Sequence, residues 1–141
     1  MPLFASIPLT LVPLLVYNVI AFDFFGAGTG DPWQAPIFTI DMVSDARFTM
    51  VLGDLMIVAA LFLLFVEMLK ATRTGIASLM DHILSMLVFV AYLVEFLIVP
   101  QAAASVFFIL MAISLIDVIA GFSITITAAR RDVSLSHGEH M

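Results

Sequence analysis

The sequence predicts an all-α integral membrane protein, an antiparallel bundle of four transmembrane helices with both termini cytoplasmic. Three observations predict it. The 141 residues are 63% hydrophobic and 11% charged, with mean hydropathy +1.20. Soluble domains carry roughly 45–50% apolar and about 25% charged residues, so a water-soluble fold is excluded on both counts. Four apolar stretches occupy most of the length, and the basic residues stand at their ends. No length remains for a second domain of ordinary size, so residues 1–141 form one transmembrane domain.

A bilayer core of about 30 Å takes about 20 apolar residues in helical form. The first segment that qualifies is Ile7–Phe25, closed by Gly26, Gly28 and Gly30. A cleaved signal peptide has a basic start and a small-residue cleavage site. Met1–Pro8 has no Lys or Arg, so this first span is expected to be retained. The outer loop, residues 26–47, contains Asp31-Pro32-Trp33-Gln34. That run reads as a short helical start, with Asp as N-cap and Pro in the first turn. Trp33 and Phe38 suit a loop resting on the headgroups, where aromatic rings keep one end wet.

The second span is Phe48–Lys70, stopped by Lys70 and Arg73, and the third is Leu79–Val99, stopped by Pro100. Proline cannot continue the backbone hydrogen bonding of a helix. The fourth is Ser105–Ala128, stopped by Arg130 and Arg131, and the tail 129–141 is polar and expected to be disordered beyond Asp132. Lys70, Arg73, Arg130 and Arg131 are four of the five basic residues and fall on one side; Arg47 alone falls on the other. Basic residues mark the cytoplasmic side, which places both termini there. The expected location is a multi-pass position in a bacterial-type plasma (inner) membrane.

Composition excludes several functions. With no cysteine, thiol redox chemistry and thiolate metal sites are removed. With five Lys and Arg and a formal charge of -6, there is no basic patch and nucleic-acid binding is excluded. Spans one and two do not resemble spans three and four, so an inverted-repeat carrier is unsupported. No nucleophile–base constellation, phosphate-binding glycine loop or H-E-x-x-H motif occurs, so no enzyme is expected.

The chemistry lies in carboxylates within the spans. Asp117 sits near the middle of the apolar run Val106–Thr127. A charged group at that depth costs roughly 2.5–3.5 kcal/mol on insertion scales, so it needs a partner. Ser114, Asp117, Gly121, Thr125 and Ala128 share one helical face, whose small residues let another helix approach closely. On the third span, Asp81, Ser85, Val88, Tyr92 and Glu95 share a face too. Ser78 with Asp81 reads as a capping box. Glu95 lies roughly 6 Å and Asp54 roughly 9 Å from the outer ends of their helices at 1.5 Å per residue. Asp23 and Asn18 occupy the same outer half, so Asp23, Asp54 and Glu95, with Asp117 below them, are the candidate proton or cation sites. Tyr92 is in reach of Glu95 as a donor. Two facing carboxylates would share a proton or bind a cation.

Three lesser features complete the reading. Glu67 and Lys70 form an ordinary i, i+3 pair. His82, in the first turn of span three, is a weak candidate ligand for haem or a chlorophyll magnesium. His137, Glu139 and His140 could chelate a metal only incidentally in a mobile tail.

Three function classes follow. The first is a non-catalytic accessory or structural subunit of a larger membrane complex, partnered by the bilayer and by other subunits or further copies of itself. The second is a small proton- or cation-coupled carrier or channel using the intramembrane carboxylates. The third is a binder of an apolar cofactor (quinone, pigment or haem) between helices rich in Phe and Met.

Overall fold

A computed structural model of the chain describes residues 7–22, 30–72 and 76–139. The element order is α1 (Leu11–Ala21), a 3-10 turn (Pro32–Gln34), β1 (Pro36–Asp41), β2 (Arg47–Val51), α2 (Leu52–Lys70), α3 (Ile76–Ile98), a 3-10 turn (Pro100–Ala102) and α4 (Ser105–Glu139). Three stretches are long and apolar enough to cross a membrane: Leu52–Lys70, Leu79–Ile98 and Ser105–Ile124. They make the chain a multi-pass membrane protein with a helical body.

The expected first span is not matched over its length. The helix there has 11 residues, Leu11–Ala21, roughly 16 Å at 1.5 Å per residue, which alone is too short for a bilayer core. Residues 23–29 lie outside the described residues. Pro13 sits in the first turn of α1, where its missing N–H costs no hydrogen bond.

The expected outer loop is partly a β-hairpin. β1 and β2 pair antiparallel with Phe38 opposite Met50, Thr39 opposite Thr49, Ile40 opposite Phe48 and Asp41 opposite Arg47. The turn closes through Met42 N–H to the Ala46 carbonyl at 2.8 Å, with Asp45 at φ 67°. Asp is among the few side chains that tolerate that left-handed conformation. Phe48–Val51, expected in a helix, is therefore strand, and α2 starts directly at Leu52. The Leu52 N–H still donates to the Ala35 carbonyl at 2.9 Å, so strand and helix join without a linker.

α4 packs against both α2 and α3 and forms the centre of the body. Its buried residues Val106, Phe107, Leu110, Ile113, Ser114, Asp117 and Gly121 recur at helical spacing. α2 answers with Gly53, Met56, Ala60, Leu64 and Glu67. Gly53 is required by close approach, since a Cβ there would stand 2.8 Å from Val106 Cγ2. The tail expected to be disordered is instead helical, because α4 continues past the apolar window to Glu139.

At the end opposite Lys70, expected to be the outer one, an aromatic cluster forms the core. Phe107 is fully buried, with Tyr17, Tyr92 and Phe96 ring centroids at 4.9, 5.4 and 6.4 Å. Trp33 stacks flat on Tyr17 at 4.5 Å and is buried, which corrects the expectation that it rests among headgroups. The N-cap expectation holds beside it: Asp31 Oδ1 accepts from Trp33 N–H at 3.1 Å.

Candidate functional site: a buried polar network at the basic end

Lys70, the last residue of α2, gathers the polar groups at the basic end. Its ammonium lies 2.9 Å from Glu67 Oε1 and 3.3 Å from Asp81 Oδ1, and it donates to the Ile7 carbonyl at 2.9 Å. Glu67 Oε1 also accepts the Leu9 N–H at 2.6 Å. One cation thus serves two carboxylates, both almost wholly buried. Together they hold the backbone that leads into α1. Such a pair is stable only when the remaining lone pairs and protons find partners; the Leu9 N–H donates to Glu67, and the Ile7 carbonyl accepts an ammonium proton.

Asp81 differs from its expected role. α3 begins at Ile76, so Ser78 lies inside the helix and cannot be its N-cap. Asp81 turns toward Lys70 instead, bridging α2 and α3.

One helical turn further along α3 the network reaches α4. Ser85 faces the carboxyl group of Asp117 across the α3–α4 interface. Asp117 is 4% exposed and Ser85 2%. His82 lies across Gly121, where a Cβ would come within 2.5 Å of its Cε1, and its ring is 5.8 Å from that of Phe122. The missing side chain at Gly121 is what lets the imidazole enter the α3–α4 interface. Two polar atoms here have no hydrogen-bond partner among the described residues: Asp117 Oδ2 and Ser114 Oγ. Ser114 is fully buried one turn before Asp117 on the same helix.

The outer acids distribute differently. Asn18 Nδ2 donates to Glu95 Oε2 at 3.1 Å and to the Leu14 carbonyl at 2.9 Å, tying α1 to α3. Asp54 is exposed in the first turn of α2, where a negative charge complements the helix N-terminus. Asp23 and the side chain of Thr125 lie outside the described residues. Tyr92 donates to the Thr10 carbonyl at 2.8 Å rather than to Glu95, and Tyr17 donates to the Gln101 carbonyl at 2.8 Å.

Among the described residues no group of three or more His, Asp and Glu is placed to hold a metal. The side chains of His137, Glu139 and His140 lie outside the described residues. An apolar groove of about 310 Å³ runs between Ile7, Pro8 and Leu11 on one side and Leu84, Leu87 and Val88 on the other. Nothing polar lines it, and His82 is not part of it, so the groove suits an acyl chain better than a liganded cofactor.

The sequence separated Glu67–Lys70, Asp81, His82 and Asp117 as unrelated features; the fold joins them. The link that spacing could not supply is the reach of Lys70 across two helices and to the backbone at Ile7. The available signal was that Lys70 ends span two beside acids on two consecutive spans. No protein-family model, curated protein or solved structure matches the chain.

Proposed function

We propose that the chain is a non-catalytic subunit of a larger membrane assembly. In this reading it sits in a plasma membrane with both ends cytoplasmic, and α1 completes a four-helix bundle. The observation that carries it is the hairpin. Phe38, Ile40, Phe48 and Met50 share one of its faces, while Thr39, Thr49 and the Asp41–Arg47 ion pair (3.3 Å) occupy the other. The apolar face is uncovered: Phe38, Ile40 and Phe48 are all exposed, as is Val43 at the tip.

In this reading the exposed apolar side chains on the spans face lipid, whereas the hairpin lies outside the three apolar windows. A two-stranded hairpin is marginal on its own and gains independent stability from a third strand or a packed cover. Both outer edges of this ribbon also carry unpaired backbone groups among the described residues, a template for strand addition. The occupant that fits is a neighbouring membrane subunit offering an apolar strand or face at the outer surface. Because β2 runs into α2 without a linker, the hairpin is presented at a fixed angle to the spans. Gentle detergent extraction of the native membrane tests the reading. The chain should migrate at a mass well above its 15.4 kDa, and a single free-monomer peak would remove the proposal.

A second reading, a proton- or cation-coupled carrier or channel, is favoured by the unpartnered buried oxygens of Asp117 and Ser114. Liposome flux that survives Asp117→Asn unchanged would take that residue out of any transport mechanism.

A further inference from the structure

We propose that Asp117 is a reversible proton-binding site, with the proton held on the carboxyl group between α3 and α4. The inference deepens the second reading by naming the ligand, and it holds whether or not the chain transports anything. The Asp117 carboxyl is buried at 4% exposure, and the Ser85 hydroxyl faces it across the helix interface. Its Oδ2 has no partner among the described residues, and the fully buried Ser114 Oγ has none either. A carboxylate spreads its charge over both oxygens, so an ionised Asp117 would bury half of that charge without a donor. Protonation removes the charge and turns the group into a donor and an acceptor, so that Oδ2 no longer carries buried charge without a donor.

The alternatives fit less well. Divalent cations take six or more oxygen ligands, and among the described residues this site offers the Asp117 carboxyl and the Ser85 hydroxyl. Neutralisation by an ion pair is also weak. Among the described residues, the charged or titratable groups that act on Asp117 are Lys70 from α2 and Asp81 and His82 from α3. Lys70 is committed to Glu67 and Asp81. Among the described residues, the stretch leading into α1 contributes the backbone groups of Ile7 and Leu9 to this end. On α4 itself the next ionisable residue is Arg130, more than roughly three turns away. The adjoining network also supplies a route, since Asp81 and Ser85 stand one turn apart and lead from the basic end of α3 to Asp117.

The full chain in liposomes is treated with dicyclohexylcarbodiimide, which enters apolar regions and modifies protonated carboxyl groups, and the adduct is mapped by mass spectrometry. The adduct is expected on Asp117, falling as the pH is raised, lost in Asp117→Asn and retained in Asp117→Glu. An adduct on Glu67 or Glu95 with none on Asp117 overturns the proposal, as does protection by sodium chloride at constant pH, which would make the ligand a cation. Infrared spectroscopy of the unmodified protein keeps the test independent of variant folding. A protonated-carboxylic-acid carbonyl band that shifts in D₂O is expected, and its absence overturns the proposal.

Discussion

The two ends of this molecule meet the cost of burial with opposite chemistries. At the basic end, charged and hydroxyl side chains point inward and one ammonium holds two carboxylates and a stretch of backbone. At the outer end, rings fill the interior around Phe107, while apolar side chains of the hairpin point outward. The inward polar groups specify how three helices and the lead into α1 fit together. The outward apolar groups have no counterpart within the described residues. On the proposed reading, the difference separates what builds the fold from what a partner would cover.

Removing the cation should break the basic end most severely. Lys70→Met leaves Glu67 and Asp81 buried without their shared charge, and one partner lost from a buried pair costs about 3–5 kcal/mol. Detergent-induced unfolding should shift accordingly; an unchanged midpoint would mean that water already reaches the site. The outer end has its counterpart in Trp33→Ala, which removes the ring stacked on Tyr17 and should cost about 3 kcal/mol by the same assay. Gly121→Ala should cost about 1–3 kcal/mol, because the new Cβ forces His82 from the α3–α4 interface. Valine there should be worse than alanine, and equal stability of the two would mean that the imidazole does not occupy that space. Asn18→Ala loses the tie to Glu95, and inter-helix hydrogen bonds in membranes average about 0.6 kcal/mol. The smallest effect belongs to the hairpin. Phe48→Ser should change unfolding by about 0.5 kcal/mol, since the ring is 43% exposed and its ring contact is the cross-strand Phe38.

The long apolar runs were legible because a bilayer demands length and hydropathy, and α2, α3 and α4 follow from both. Buried Asp81, Ser85, Val88 and Tyr92 were readable as one face of α3, and Ser114, Asp117 and Gly121 as one face of α4, since helical periodicity is local information. The hairpin was missed although Phe38-Thr39-Ile40-Asp41 alternates with period two and Phe48-Thr49-Met50 does the same after a turn at Ser44-Asp45. The apolar run from Phe48 onward continues without a break into the helix, and a short apolar run cannot by itself tell strand from helix. The Lys70 network was illegible for a different reason. Its members are joined by contacts across 58 and 63 residues of chain, and no spacing rule reaches that far.

The central claim is that the outward apolar face of the hairpin joins this chain to another membrane subunit. The direct measurement is the native mass of the chain extracted from its own membrane in mild detergent, beside the same mass for Ile40→Ser with Phe48→Ser. The account predicts a large assembly for the unaltered chain and a free, normally stable monomer for the variant. A variant that stays in the assembly, or an unaltered chain that is already free, would contradict it.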